Sequence, residues 1–128
     1  MQRNPAYRDV IKEIITELRQ GIEKCLEIGI KKNRIIIDPG IGFAKTAQQN
    51  MRIINHLNEL RKLKLPILIG PSRKSFIGQI LGKDVKDRAW GTAATVSASI
   101  MRGADIVRVH DVAAMKDVAA MTDALIKA

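Results

Sequence analysis

The sequence predicts an α/β fold built on a parallel sheet, and three observations predict it. Short runs rich in β-branched residues lie at 34–38, 66–70 and 105–110. Apolar residues at helical spacing separate and flank these runs, so the order is α-β-α-β-α-β-α. Each run also stops at charged or polar residues, and α/β folds bind ligands at the carboxyl ends of parallel strands. Strands that alternate with helices in this way are joined by right-handed crossovers.

The first helix is predicted from Asn4 to about Gly29. Asn4 is a good N-cap and Pro5 suits the first helical position, while Gly29 is placed to end the helix. The run 34–38 that follows is short and β-branched, and it predicts a buried strand. The apolar residues at helical spacing are Val10, Ile14, Leu18, Ile22, Cys25 and Leu26.

A capping box formed by Thr46 and Gln49 predicts the start of the second helix. The run 66–70 predicts the second strand, and a short helix is predicted at 75–81 with Gly82 as its end. The apolar stripe of the second helix comprises Met51, Ile54, Leu57 and Leu60.

A longer helix is predicted from about Val85 to Arg102, with Gly103 as its stop signal. It is rich in small residues, which allow a close approach either to the sheet, the interpretation we favour, or to another subunit. These residues are Ala89, Gly91, Ala93, Ala94, Ser97 and Ala98.

The third strand, 105–110, precedes a last helix at 112–127. With no linker or repeat, residues 1–128 read as a single domain. Three strands are few, however, and both outer strands would expose unpaired hydrophobic edges. The pattern therefore indicates a partial domain, one part of a larger structure. The residues of the last helix expected to point inward are Met115, Val118, Met121 and Leu125.

The charge balance narrows the classes of partner. Lys and Arg number 22 against 13 Asp and Glu, which gives a net charge of +9. These charges are scattered along helices and loops, and aromatic residues make up only 3% of the chain, too few to stack many bases. An anionic small molecule is therefore favoured over nucleic acid, although a basic nucleic-acid-binding module stays as an alternative.

No apolar run approaches the roughly 20 residues that span a bilayer, and no signal peptide precedes Arg3. The single cysteine, Cys25, lies on the apolar face of the first helix and is expected to be a buried, inert thiol. These features predict a cytoplasmic protein without a membrane partner.

The first strand ends in Asp38, which a Pro-Gly turn and Phe43 follow. A carboxylate there can accept two parallel N–H bonds from the edge of a polar ring. Phe43 offers a flat apolar wall for the same ring. A turn that binds no ligand is the competing interpretation.

The second strand ends in Gly70-Pro71-Ser72-Arg73-Lys74-Ser75. Gly70 lets the backbone approach a ligand, and the segment enters a helix N-terminus, which favours negative charge. Lys74 can point a cation at this site, and the hydroxyl of Ser75 can bind a carboxylate or phosphate oxygen. A solvated helix cap is the alternative.

Arg108 and His110 share one face of the third strand, because side chains alternate with a period of two. A guanidinium fork and an imidazole N–H both suit the oxygens of a pyrophosphate. A structural salt bridge is the competing interpretation. The other histidine, His56, is expected to face solvent on the polar side of its helix.

Four motifs closely resemble, in chain order, the signatures of the dihydropteroate synthase family. They are Asp38-Pro39-Gly40-Ile41-Gly42-Phe43-Ala44-Lys45, Ser72-Arg73-Lys74-Ser75-Phe76-Ile77-Gly78, Arg88-Ala89-Trp90-Gly91-Thr92 and Arg108-Val109-His110-Asp111-Val112. Met1-Gln2 also resembles the residues after the family's fifth strand. The resemblance implies the C-terminal part of a TIM (β/α)8 barrel, whose sixth to eighth strands are the three parallel strands with their flanking helices.

The family condenses p-aminobenzoate with 6-hydroxymethyl-7,8-dihydropterin pyrophosphate in folate biosynthesis, releasing pyrophosphate and 7,8-dihydropteroate. The resemblance implies roles for seven groups of this chain. The pterin would contact Asp38, Gly70, Lys74 and Arg108; p-aminobenzoate would contact Phe43 and Ser75; pyrophosphate would contact Ser75, Arg108 and His110; and the catalytic residues would be Lys74, Arg108 and His110.

Part of the family's pattern has no counterpart here, including the asparagine that binds Mg²⁺ in the full-length enzyme. We therefore expect a fragment that holds no metal and is inactive alone. The resemblance also implies that the whole enzyme is a target of sulfonamides. A homodimer or self-associated fragment is expected, through sheet edges or the helix rich in small residues. A pterin-binding methyltransferase domain is the alternative, although methyl transfer leaves no pyrophosphate to hold.

Overall fold

The computed structural model describes residues 4–43 and 45–128, with side chains from Val10 onward. Met1-Gln2, which resembles the end of a preceding family segment, lies outside the described residues. The chain folds into five α-helices and two short strands within that part. They are α1 Asn4–Glu27, α2 Ala47–Asn55, β1 Leu68–Ile69, α3 Ser75–Leu81, α4 Ala89–Met101, β2 Ile106–Val107 and α5 Val112–Lys127, with 3-10 turns at Lys32–Arg34, Leu57–Leu63 and Val85–Asp87.

The sheet is parallel as predicted, but it is smaller than three full strands. β1 and β2 pair in parallel with Leu68 opposite Ile106 and Ile69 opposite Val107. The first predicted strand, 34–38, contributes only an isolated parallel bridge between Ile37 and Ile67. The spatial order of the three segments is therefore the chain order, as in part of an α/β barrel.

The strands are shorter than predicted because few backbone hydrogen bonds join them. Ile37 N–H donates to Pro66 O at 2.9 Å and its carbonyl accepts from Leu68 N at 2.8 Å, so pairing runs along one side only. Ile36, predicted to be buried, is 53% exposed on the other side. At the start of β2 the Asp105 carboxylate accepts from Ile67 N at 3.0 Å, in place of a further residue of strand pairing.

The core is aliphatic, as the low aromatic content predicts. Helices adjacent in the chain pack on one another, and α2 also packs against α4. This arrangement covers the buried side of the strand segments. The core residues include Val10, Ile11, Ile14, Ile37, Ile41, Ile53, Ile54, Leu57, Leu60, Leu63, Leu65, Ile67, Ile69, Phe76 and Ile77.

The capping box of α2 is confirmed, because Gln49 N–H donates to Thr46 Oγ1 and Thr46 N–H donates to Gln49 Oε1. The predicted single helix instead breaks at His56, after which Leu57–Leu63 continues as a 3-10 turn. Its apolar stripe survives the break, with Leu57 and Leu60 fully buried, although Met51 is exposed.

α3 has its predicted bounds and ends at Gly82, whose φ of +66° is the left-handed conformation of a helix C-cap. α4 begins at Ala89 rather than Val85, because Val85–Asp87 forms a separate 3-10 turn. At Gly91 the close approach is made to α3 and not to the sheet, which was the favoured interpretation: a Cβ built on Gly91 would overlap Ile77.

α5 has its predicted bounds, but its inward face is narrower than predicted. Met115 is buried, whereas Met121 and Leu125 are 61% and 57% exposed, since α5 packs mainly against α4. Cys25 is likewise only half-buried near the end of α1. Within the described part of the chain, no helix is long and apolar enough to cross a membrane.

We expect Leu60→Ala to lower the free energy of unfolding by about 3 kcal/mol, because it leaves a cavity in a fully buried site. Leu125→Ala is the matched control and should change stability by less than about 0.5 kcal/mol, because its side chain is exposed. Urea unfolding of both variants measures the difference. Equal losses would show that the face of α5 is buried in solution.

Candidate functional site

The polar residues that follow β1 and β2 meet at one pocket, as their positions at the ends of parallel strands predict. The pocket has a volume of 390 Å³ and an open mouth. Three potential cations border it, so it is suited to an anion. Its lining residues are Gly70, Ser72, Lys74, Arg108, Val109 and His110.

Arg108 occupies the space that Gly70 leaves by having no side chain. A Cβ built on Gly70 would lie 3.2 Å from Arg108 Nη2. Within the described residues, the ion pairs are His56 with Glu59 and Arg73 with Asp111, so Arg108 has no carboxylate partner there. The structural salt bridge considered for Arg108 is therefore not formed, and its guanidinium faces the pocket.

His110 is held against the loop after β1. Its Nδ1 lies 2.7 Å from Ser72 Oγ, and its backbone N–H donates to the same oxygen at 3.1 Å. Arg73 Nη2 donates to Asp111 Oδ1 at 2.8 Å immediately beside this contact. The ends of β1 and β2 are thus joined by two residue pairs, Ser72 with His110 and Arg73 with Asp111.

The loop after β1 has a strained turn that neighbouring helices hold in place. Arg73 has φ +57°, a conformation that costs a non-glycine residue on the order of 1 kcal/mol. Its backbone N–H donates to Thr92 Oγ1 at 3.0 Å, and its carbonyl accepts from Arg88 Nη1 at 3.0 Å. The turn sets where Lys74 leaves the backbone just before α3.

The segment after the first strand position folds into a loop braced by side chains. Asp38 Oδ1 accepts from Gly40 N at 2.8 Å, and Lys45 Nζ donates to the carbonyls of Gly40 and Phe43 at 3.0 Å each. Gly42 N–H donates to Oδ1 of the buried Asn50 at 2.9 Å. These contacts leave the second oxygen of Asp38 free of a described partner.

Asp38 and Phe43 border a second cavity rather than the one around Arg108. It has a volume of 540 Å³ and lies between this loop and α1. Lys74 connects the two cavities, because its Nζ stands 4.7 Å above the centre of the Phe43 ring. The aligned geometry is that of a cation–π contact. The structure therefore brings six of the seven candidate residues to two adjoining cavities.

Ser75, the seventh candidate, is the exposed first residue of α3 and borders neither cavity.

His56, expected to face solvent, is half-buried instead. Its Nδ1 lies 3.1 Å from Glu59 Oε2, and its Nε2 is buried without a hydrogen-bond partner among the described residues. The break between α2 and the following 3-10 turn rotates this ring inward.

Sequence reasoning assigned no role to the residues that position the site. Ser72 and Arg73 belong to the family motif at 72–78, and Arg88 and Thr92 belong to the one at 88–92. The motifs therefore included these residues, although their positioning role was not predicted. Asn50 lies in a helix without any motif, and only its burial with an acceptor aimed at Gly42 identifies its role.

Among the described side chains, those of residues 10–43 and 45–128, there is no group of three His, Cys, Asp or Glu that could hold a metal ion. These residues therefore offer no such cluster to the Mg²⁺ that the family resemblance places in the full-length enzyme.

Solved dihydropteroate synthases contain a region with the fold of this chain. A Yersinia pestis structure with a sulfonamide drug superimposes with a TM-score of 0.92 at 37% identity, covering 98% of this chain and 46% of that one. A Xanthomonas albilineans structure with 7,8-dihydropteroate gives 0.92 at 36% identity, covering 100% and 51%. Fold and site thus define this chain as part of an α/β barrel with a cationic pocket at its strand ends.

The pterin binding enzyme family matches residues 1–110, and the chain belongs to this family. Its relatives include a dihydropteroate synthase of Synechocystis sp., 49% identical over 106 residues that make up 82% of this chain and 37% of the relative. A Haemophilus influenzae dihydropteroate synthase is 41% identical over 104 residues, 81% of this chain and 38% of the relative. The chain thus spans well under half the length of these relatives.

Two glycines allow a test of how the loop positions Lys74. Gly29 and Gly42 both have φ +91°, but a Cβ on Gly29 would meet open space, whereas one on Gly42 would lie 3.0 Å from Lys74 Cδ. We expect Gly29→Ala to cost about 1 kcal/mol of unfolding free energy from backbone strain alone. Gly42→Ala should cost more, because Lys74 must also move. Urea unfolding compares the two, and equal costs would contradict the packing of Lys74 on this loop.

Proposed function

We propose that this chain supplies the pterin- and pyrophosphate-binding strand ends of a dihydropteroate synthase. The complete enzyme joins p-aminobenzoate to 6-hydroxymethyl-7,8-dihydropterin pyrophosphate, giving 7,8-dihydropteroate and pyrophosphate. One observation carries the proposal: Lys74, Arg108 and His110 converge on one pocket, and no carboxylate neutralises Arg108 among the described residues. Family membership and relatives bearing that name support it.

Arg108 and His110 bind the pyrophosphate in this proposal. The guanidinium fork donates to two oxygens at once, and the imidazole N–H donates to a third. Ser72 holds the ring of His110 before substrate arrives, and the missing side chain of Gly70 leaves the space in which the Arg108 guanidinium lies. Fixed donors of this kind stabilise the charge that develops as the pyrophosphate leaves.

Asp38, Gly70 and Lys74 bind the pterin ring. The free oxygen of Asp38 accepts from ring N–H groups, because its other oxygen already accepts from Gly40 N. Lys74 stands between the cavity of Asp38 and that of Arg108, so a pterin in the Asp38 cavity directs its methylene towards the Arg108 pocket. Solved relatives in complex with pteroic acid and with 7,8-dihydropteroate support a ligand of this class.

The reaction exchanges one bond for another at the pterin methylene. The bond from that carbon to the pyrophosphate oxygen breaks, and its electron pair leaves with the pyrophosphate. The amine of p-aminobenzoate, placed beside Phe43, then forms the new carbon–nitrogen bond and gives up a proton to water or to the departing pyrophosphate. Binding and orientation, with electrostatic stabilisation by Lys74, Arg108 and His110, supply the catalysis.

A pterin-binding methyltransferase is the second candidate within the same family. It would share the barrel and the pterin cavity. A methyl transfer releases no pyrophosphate, however, so it does not explain why Arg108 and His110 line the same pocket. We therefore favour the synthase.

The remaining features of the whole enzyme stay proposals. We infer that these segments are the sixth to eighth strands of the barrel, that Mg²⁺ binds to residues outside this chain, and that the protein acts in the cytoplasm as a dimer. Exposed apolar side chains on α4, including Trp90 and Met101, support self-association.

We expect calorimetric titration to show pyrophosphate binding that Arg108→Ala weakens at least tenfold, because a charged donor pair is worth about 1.5–3 kcal/mol. Arg102→Ala, at an exposed arginine that ends α4, is the matched control and should leave the affinity unchanged. Equal effects of the two substitutions would mean that net charge alone attracts the anion, which would contradict the assigned pocket.

The isolated chain should release no pyrophosphate from a pterin pyrophosphate and p-aminobenzoate above the rate of the buffer. It spans 37% of the length of its Synechocystis relative, so it offers only part of the surface that orients two substrates. A coupled phosphate assay at high protein concentration measures this. Turnover abolished by Lys74→Ala would show that these strand ends suffice for catalysis.

A further inference from the structure

The hydroxyl of Ser72 contacts the ring of His110. Only one placement of the hydroxyl proton and the ring proton gives every donor in this contact an acceptor. The backbone N–H of His110 donates to Ser72 Oγ at 3.1 Å, which uses one lone pair of that oxygen. The hydroxyl proton needs an acceptor, and the nearest is His110 Nδ1 at 2.7 Å. Ser72 is buried, so an unpaired hydroxyl proton there would carry a cost.

We infer that Ser72 is a positioning residue, which donates its hydroxyl proton to His110 Nδ1 and so holds the imidazole with its proton on Nε2. In the opposite tautomer, Nδ1–H would donate to Ser72 Oγ. The hydroxyl proton would then lack an acceptor among the described residues. A neutral imidazole has one N–H, and the hydrogen bond at one nitrogen decides which nitrogen carries it.

This inference deepens the proposed function and rests on it for its role. With Nδ1 occupied by Ser72, Nε2–H is the ring's one remaining donor, and His110 borders the pocket assigned to pyrophosphate. The opposite tautomer would present a bare nitrogen to the anion and repel it. Ser72 therefore makes the neutral ring a donor before the anion arrives.

The second histidine provides an internal contrast. His56 Nδ1 lies 3.1 Å from a carboxylate oxygen of Glu59, which accepts only, so this ring carries its proton on Nδ1. The chain contains two histidines in all. One spectrum should consequently show two neutral rings with opposite tautomers.

The experiment is a long-range ¹H–¹⁵N correlation spectrum of the ¹⁵N-labelled full chain at alkaline pH, where imidazoles are neutral. His56→Gln assigns the two rings. We expect His110 as a single Nε2–H tautomer and His56 as Nδ1–H. A His110 ring protonated on Nδ1, or averaged between the tautomers, would overturn the inference before any substitution at Ser72 is made.

Ser72→Ala should move the His110 nitrogens to averaged positions, because the ring loses the group that selects one tautomer. Asp111→Asn is the control: it removes the ion pair between the same two loops but keeps the hydroxyl, so the tautomer should persist. Averaging in both variants would assign the effect to loop stiffness and overturn the inference. An unchanged ring in Ser72→Ala would overturn it equally.

Pyrophosphate provides the second readout. It should shift the Nε2 resonance of His110 and leave that of His56 in place. Ser72→Ala should weaken its affinity about twofold, since the ring then offers the Nε2–H donor only about half of the time. Pyrophosphate that binds without moving His110 Nε2 would overturn the donor role while leaving the proposed function in place. No binding to the unsubstituted chain would overturn the proposed function itself and, with it, the role of the tautomer.

Discussion

The site depends on one constraint, the parallel register of β1 and β2. Because Ile69 lies opposite Val107, the residues that follow each strand leave the sheet side by side. Ser72 can then reach the ring of His110, and Arg73 can reach the Asp111 carboxylate. A shift of one residue would turn Arg108 and His110 to the other face of the sheet. Two short strands thus determine the geometry of the whole pocket.

The strained loops around the pocket are held in place by residues that contact no ligand in the proposed mechanism. The left-handed Arg73 is held by hydrogen bonds to Thr92 and Arg88, which belong to the start of α4. The loop after Asp38 is held by Asn50 from α2. Helices on the outside of the sheet therefore act on the pocket through backbone atoms, which explains why polar groups such as Asn50 and Thr92 are buried.

The alternation of strands and helices, the capping box, the bounds of α3 and α5 and the convergence of polar strand ends could all be predicted from the sequence. The capping box and the helix bounds depend on neighbours close in the chain: Thr46 on Gln49, and Gly82 on the turn before it. The convergence of the strand ends follows from the general geometry of parallel strands. Motifs in combination also indicated the family. The extent of the strands could not be predicted, because it depends on how many partners each strand finds, and the segment around Ile37 finds one.

Contacts between distant segments were decided by tertiary structure alone. The inward turn of His56, the exposure of Met121 and Leu125, the division of the candidate residues between two cavities and the contact of Ser72 with His110 all depend on which elements meet. Residue type and spacing determine what a side chain can do. Its partner, 38 residues away in the case of Ser72 and His110, is determined only when the packed sheet brings two loops together.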